Sequence, residues 1–377
     1  MKKLNNIILH GCTFGSNFGD CLFAKLFYDE CERVNPGYNK LYDNKFIIKN
    51  SEFRLSEHYR NYINYHKKCR FIDIIKCKGI VFFGGGYFGE TTNSHKEAII
   101  RYYRYLKLGL FARLLKKPVA IIGVEAGPIS VKFLKKSIKK LFNYADIVAV
   151  RNTDSAKFLK EIGVKNNVII TADPAININK DIKPDEDKTV QEIRQIFLDK
   201  KILLFHSITN TTYLKLVEFK VIPALNKFLM DNPEYGVVFT YDQVTSTEKI
   251  DELKSLAKKI ENTKVYINSY KDPTKLINLI EISDLIITTK LHVGIIGSSL
   301  SKSVISIPFN SNKILRYYDY INESGRCTPI KETDENTIYN QLNKYNGVNI
   351  NLSNDLIMKS KENYDLLDHF INSIVGK

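Results

Sequence analysis

The sequence has little that would staple a small scaffold together. Its six cysteines, Cys12, Cys21, Cys31, Cys69, Cys77 and Cys327, form no CxxC pair and have no His partner at zinc-ligand spacing. Neither a structural metal nor a disulfide framework is signalled, and reduced thiols are expected. No stretch reaches the ~18–20 apolar residues of a membrane span. The start, running from Met1 to His10, has two lysines but only a short apolar run. A soluble, cytoplasmic chain is therefore expected. No repeat with a period of about 20–50 residues and no low-complexity tract is present, which removes solenoids and propellers.

What is present is the composition of a folded protein: 377 residues, 44% apolar and 26% charged, with 22 Tyr and 21 Phe. At roughly 100–200 residues per domain, two domains are expected, each able to bury its own core. Lys and Arg number 56 against 41 Asp and Glu, a net +15. Such a surplus suits nucleic acid, a membrane surface or an anionic small substrate and does not choose among them. The lysines read as scattered over solvated helix faces, with no dense patch interleaved with aromatics and no nucleic-acid-binding motif, so no nucleic-acid partner is expected.

Short apolar runs ending in Gly or Asp alternate with longer helical patterns, the signature of βα units around a parallel sheet. Strands are expected at 7–10, 79–83, 118–123, 147–150 and 168–171, with helices near 20–34, 94–116, 130–144 and 153–162. The polar stretch 177–188 reads as a connection. Beyond it strands are expected at 202–206, 236–241, 264–267, 285–288 and 303–307. The fold class is α/β, with two doubly wound Rossmann-like domains facing a cleft: an N-terminal domain over 1–176, a C-terminal domain over 189–350, and a tail over 351–377. In the tail Leu367, Phe370, Ile371 and Ile374 give a terminal helix one apolar face to pack back on either domain.

The residues that could carry chemistry sit where strands hand over to helices. Gly11 to Asp20 form a glycine-spaced turn after the first strand, with Asn17, Gly19 and Asp20 at its end; Asp20 reads as a helix cap. The turn lacks both the GxGxxG spacing of a dinucleotide site and the Lys of a P-loop. Gly84, Gly85 and Gly86 follow the second apolar run, where glycines permit a sharp turn or the close approach of a ligand. Glu125 follows the next strand, and Asp173 is fixed near the same edge by Pro174. Arg151, ending another strand, is either a ligand contact or a structural clamp. In the second half, Thr288-Thr289-Lys290-Leu291-His292 places a cation and an imidazole at the mouth of a small-residue helix, an arrangement suited to a phosphate or carboxylate. Lys313 adds a cation at the next helix start.

In order and spacing these motifs resemble the polysaccharide pyruvyl transferase family over most of residues 5–320: the Asn17-Phe18-Gly19-Asp20 turn, Gly84 to Gly86, Gly123 to Pro128, Arg151 with Ser155, Asp173-Pro174-Ala175, Lys290-Leu291-His292, and Lys313. Where members usually carry Arg-Leu-His-Gly, this chain has Lys290-Leu291-His292-Val293. Asn152 stands where an Asp usually follows the Arg, Glu125 where Gln is common, and His206 ends a strand where Arg is expected.

The resemblance implies a fold like that of GT-B glycosyltransferases and transfer of the enolpyruvyl group of phosphoenolpyruvate to a sugar of a cell-surface or exopolysaccharide precursor. It implies a donor held mainly by the second domain, with contacts from Lys290, His292, Lys313, Thr289 and His206, and with Arg151 of the first domain. Acceptor contacts would come from Asn17, Gly19, Asp20, Gly85, Gly86, Glu125 and Asp173. His292, Lys290 and Asp20 are the candidates for handling protons and charge. No metal or cofactor beyond phosphoenolpyruvate as co-substrate is expected. A lipid-linked oligosaccharide acceptor would bring the protein to an inner membrane face as a peripheral partner, aided by the +15 charge. The rival readings are a glycosyltransferase using a nucleotide sugar and a non-catalytic glycan- or anion-binding relative.

Overall fold

The structure is a computed structural model that describes residues 6–11, 18–34, 39–42, 71–89, 94–178, 182–208, 210–241, 247–260, 264–269, 273–309 and 312–375. Two compact units result. Met1–Gly15, Asp20–Asn177 and Asn354–Lys377 make the first, and Ser16–Gly19 with Ile178–Ser353 make the second.

The first unit is a parallel six-stranded sheet of β1 (Asn6–His10), β2 (Asn39–Tyr42), β3 (Gly79–Phe83), β4 (Val119–Val124), β5 (Ile147–Val150) and β6 (Ile169–Ile170), in the order β2-β1-β3-β4-β5-β6. Every residue of β3 and β4 is buried. Burial on both faces is why these strands read as unbroken apolar runs, without the alternation of a half-exposed sheet. On one face Ile8, Ile80, Phe82 and Ile121 pack with Leu134, Ile138 and Leu141 of the Lys132–Phe142 helix. On the other, Phe83 stacks on Phe27 of the Phe18–Val34 helix at 5.1 Å between ring centroids.

The terminal helix Asn354–Val375 belongs to this first unit. Leu367, Phe370, Ile371 and Ile374 are all buried, each side chain contributing about 1.5–3 kcal/mol. Its polar positions are equally engaged: Asn363 Nδ2 donates to the Ala172 carbonyl at 2.9 Å, and the Tyr364 hydroxyl donates to that of Pro174 at 2.8 Å.

Three elements depart from the sequence-based expectation. β2 and the short helix Phe71–Lys76 were not anticipated. The expected helix at 94–116 is interrupted by a π-helical turn, Tyr102–Leu106, between His95–Arg101 and Lys107–Leu114. Asp20 is the third residue of its helix, inside its first turn and three positions past the cap, not at the cap position expected of it.

The second unit is a parallel five-stranded sheet of β7 (Lys201–Ser207), β8 (Tyr235–Tyr241), β9 (Val265–Ser269), β10 (Leu285–Thr288) and β11 (Ser303–Ser306), in the order β11-β10-β7-β8-β9. From β7 the chain builds outward through β8 and β9, then returns to the far side of β7 with β10. In the first sheet the same reversal falls between β1 and β3. Such switch points leave a crevice beyond the carboxyl ends of the two flanking strands, where open α/β sheets bind ligands. No helix among the described residues is long and apolar enough to cross a membrane.

Candidate functional site

The switch point of the second sheet gathers the strongest sequence candidates. β7 and β10 pair with His206 opposite Thr288. The Thr289 N–H donates to the His206 carbonyl at 3.3 Å, extending the strand contact by one residue. The Lys290 N–H then turns back to Thr288 Oγ1 at 3.1 Å, which ends the strand and starts the helix Leu291–Ser299. Lys290 is the N-cap residue of that helix, in an extended conformation with φ −116° and ψ 136°, and offers no side-chain acceptor to the first-turn N–H groups. That end of the helix carries the positive pole of its dipole. Lys290 and His292 are half-buried there. Thr289 Oγ1 is buried and makes no hydrogen bond within the described residues. A cation, an imidazole, a hydroxyl and a helix N-terminus thus meet at one sheet edge.

The small residues of this helix have packing reasons. A Cβ at Gly297 would meet Val304 Cγ2 at 2.7 Å, and one at Gly294 would meet the Tyr318 hydroxyl at 2.7 Å. Gly19, which groups with this unit, lies so close to the His292 ring that a Cβ there would overlap Nδ1. His206 is fully buried between Thr288 and Thr240 on the neighbouring strands. Lys313 is the second residue of Asn312–Tyr320, the helix after β11, and is exposed.

The first sheet brings together a different set. At the ends of β4 and β5 and just after β6, Arg151 is enclosed by two carboxylates: Nη2 donates to Glu125 Oε2 at 2.5 Å and Nη1 to Asp173 Oδ2 at 2.7 Å. All three side chains are buried. Burial alone would lower the Arg151 pKa, but the charges of Glu125 and Asp173 outweigh it and the net direction is up. Asp173 also caps the turn Pro174–Ile176 by accepting from the Ala175 N–H at 3.0 Å. Of the two roles the sequence left open for Arg151, this geometry is that of the clamp. Its guanidinium is matched by two negative charges within the protein.

Gly85 and Glu125 are tied by the Glu125 N–H donating to the Gly85 carbonyl at 2.9 Å. The first glycine of the triplet is explained without a ligand. Gly84 has φ +44°, and a Cβ there would meet the Phe23 ring at 2.6 Å. Gly86 is half-buried beside them. Asn17 lies outside the described residues. His10 was missed by the sequence reading: it ends β1 at the first switch point, buried edge-on against Phe82 at 4.9 Å and Tyr105 at 6.0 Å. Its position directly before Gly11 at a strand end was the available signal. Among the described residues no group of three or more His, Cys, Asp or Glu could hold a metal ion.

Comparison with known proteins agrees with this architecture. The sequence profile of the family described as polysaccharide pyruvyl transferase matches residues 17–311, more than three quarters of the chain. This chain belongs to the polysaccharide pyruvyl transferase family. No curated protein matches it in sequence. Among solved structures, a complex of S. aureus MnaA with UDP superposes with TM-score 0.62 at 16% identity, covering 98% of this chain and 97% of that one. UDP-GlcNAc 2-epimerase from Methanocaldococcus jannaschii gives 0.61 at 13%, covering 97% and 99%. The Neisseria meningitidis enzyme bound to UDP-GlcNAc gives 0.59 at 13%, covering 98% and 100%. At these identities the likeness is one of fold: this member of the family has a GT-B-like α/β architecture.

Proposed function

We propose that this protein transfers the pyruvyl unit of phosphoenolpyruvate to two hydroxyls of a sugar in a polysaccharide precursor, closing a pyruvate ketal. The observation that carries the reading is the meeting of Lys290, His292 and the buried Thr289 hydroxyl with a helix N-terminus that Lys290 does not cap, at the switch point of the second sheet. Phosphoenolpyruvate carries a phosphate and a carboxylate, and such a site offers both the dipole and the fixed cation that favour them. Lys313, on the next helix, would add a further positive charge.

The chemistry balances with one acid and one base. The donor's methylene carbon takes a proton and becomes a methyl group, leaving an oxocarbenium-like centre at the carbon bearing the phosphate ester. One sugar hydroxyl adds to that carbon. The C–O bond to phosphate then breaks, and the second hydroxyl takes the vacated place. Of the two hydroxyl protons released, one balances the proton taken by the methyl group and the other goes to phosphate. His292 is the group we assign to proton transfer or to holding the phosphate, since imidazole exchanges protons near neutral pH. On the acceptor side we assign Gly85, Gly86, Glu125, Asp173 and Asp20, with Arg151 as the positioning residue that fixes the two buried carboxylates. His206 supports the strand end that carries Thr289.

The test needs no acceptor. Thermal unfolding is followed with phosphoenolpyruvate, UDP-sugars and GDP-sugars for the wild type, Lys290→Ala and His292→Ala. A ligand at ~100 times its Kd adds about 2.7 kcal/mol of stability. Stabilisation by phosphoenolpyruvate that is lost in Lys290→Ala is the expected result. A shift with nucleotide sugars alone would replace the donor. Phosphoenolpyruvate binding with no phosphate release in the presence of candidate acceptors would make the protein a binding relative.

A further inference from the structure

The fold gathers the positive charge that the sequence reading took as scattered. Residues 95–117 hold seven Lys or Arg against one Glu, and the helix Lys132–Phe142 holds five Lys and no acidic residue, so these two segments carry +11 of the chain's +15. They are neighbours in the first unit, joined by the edge-on contact of Tyr102 with Phe133 at 6.3 Å. Glu97, the single acid, is paired with Arg101 at 2.7 Å.

The same surface exposes apolar groups that the core does not need. Ile99 is 48% exposed, Tyr103 57% and Leu114 76%, with Ile100 and Phe133 also at the surface. Along the helical axis, 99 to 114 spans about 22 Å. Lys107 lies over the Tyr103 ring at 5.3 Å, and Lys132 and Lys136 flank Phe133 on the exposed side of their helix. Cations bordering exposed aliphatic and aromatic side chains form the pattern of an interfacial helix. The apolar groups enter the headgroup boundary while lysine and arginine stems reach the phosphates.

We propose that this face of the first unit, centred on Ile100, Tyr103 and Phe133 and bordered by Lys107, Lys132 and Lys136, docks the protein on an anionic phospholipid bilayer. A nucleic acid would match the charge but would leave Ile99, Ile100 and Leu114 in water, whereas a bilayer satisfies both. The charge supplies the attraction and the apolar groups the depth. The inference is independent of the donor, since a protein that failed to bind phosphoenolpyruvate could still dock by this face.

The experiment is flotation of the full chain with vesicles of phosphatidylcholine containing roughly one-third phosphatidylglycerol, and with phosphatidylcholine alone, at about 0.1 M salt. Two variants accompany the wild type: Lys132→Glu/Lys136→Glu/Lys140→Glu, and Ile100→Ser/Tyr103→Ser. Each basic residue near an anionic surface is worth about fivefold in partitioning. The triple variant should therefore lose at least roughly a hundredfold, and the double variant should lose several-fold on the same vesicles. Melting curves establish that each variant is folded; if the charge reversal unfolds the unit, the double variant alone decides. The inference is overturned if the wild type stays at the bottom of the gradient with anionic vesicles, or if the folded variants float as it does. It is also overturned if a duplex oligonucleotide binds the protein and strips it from vesicles at equal charge concentration.

Discussion

At the carboxyl edge of the first sheet, a guanidinium is enclosed by two carboxylates and all three are buried; at that of the second, a lysine and an imidazole sit half-buried where a helix begins. Both edges belong to parallel sheets with a reversal of strand order, and both are rich in charge. They differ in what the charge faces. In the first unit each carboxylate is answered within the protein, so the group acts on the backbone turns after β4, β5 and β6. In the second, Lys290 borders a helix end of the same sign, the end of a helix that attracts anions. What a charge at a sheet edge borders, opposite charges or a helix dipole, therefore separates the two edges.

The largest effect expected from this contrast is at Arg151. Replacing it by Met leaves Glu125 and Asp173 buried together without a cation, which should cost about 3–5 kcal/mol in urea unfolding. Adding Glu125→Gln and Asp173→Asn to Arg151→Met should restore most of that loss, because neutral groups tolerate the site far better than bare carboxylates. An Arg151→Met protein within ~0.5 kcal/mol of wild type would break the comparison, since it would mean the triad is not a clamp.

Part of this was legible in the sequence. The expected strands at 79–83, 147–150 and 285–288 coincide with β3, β5 and β10, because a run buried on both faces is nearly continuous in apolar residues. The Lys290–His292 junction was also readable, since strand, cation and helix adjoin in the chain. The role of Arg151 was not. Its partners lie 26 and 22 residues away, and only the register of neighbouring strands brings them to it. β2 was missed because a four-residue edge strand carries too little pattern. The switch points depend on strand order, which no local window contains. The basic surface of the first unit was hidden by averaging charge over the whole chain: the five lysines of Lys132–Phe142 were visible, but not that Tyr103 and Phe133 would be exposed beside them.

A second, smaller effect separates two glycines. Gly84→Ala should cost about 2 kcal/mol, because the residue has φ +44° and the new methyl meets the buried Phe23 ring at 2.6 Å. Gly294→Ala, at a right-handed helical position of the second unit where the new methyl meets only the hydroxyl tip of Tyr318, should cost less. Urea midpoints for the two variants decide it. A Gly294→Ala loss equal to or larger than that of Gly84→Ala would show the helix Leu291–Ser299 to be as rigidly seated as the edge of the first sheet.

Each unit carries a buried thiol that reports on it separately. Burial pushes Cys77 in the first unit up to about 11 and Cys327 in the second up to about 12, from an ordinary 9.0. The unfolded chain releases these protons near pH 9 while the folded chain keeps them. The folded state thus binds more protons between pH 9 and pH 11–12. Stability from this source is complete below pH 9 and falls as pH rises through that window. Urea midpoints should drop between these limits, and Cys77→Ala with Cys327→Ala should flatten the drop. At pH near 8, alkylation of either thiol in the native protein should be slow. Arg151→Met should speed alkylation of Cys77 and leave Cys327 unchanged; equal acceleration of both would mean that the two units open together.

The smallest stability effect is expected at the residue given the largest functional one. A cation at a helix N-terminus opposes the helix dipole by about 0.3–1 kcal/mol while a partly exposed side-chain contact offsets a similar amount, so Lys290→Ala should shift stability by no more than about 1 kcal/mol in either direction. The same substitution should abolish stabilisation by phosphoenolpyruvate. Lys290→Arg should retain that stabilisation, because a planar guanidinium can grip a phosphate or carboxylate through two parallel hydrogen bonds. Arg151 is expected to show the reverse pairing, with a large stability loss on substitution. A Lys290→Ala variant that melts several degrees lower without any ligand would place Lys290 among the structural charges, and the distinction between the two sheet edges would fall. A variant that melts as wild type but no longer responds to the anion would mean the lysine is kept at that helix end against the dipole for the sake of what binds there.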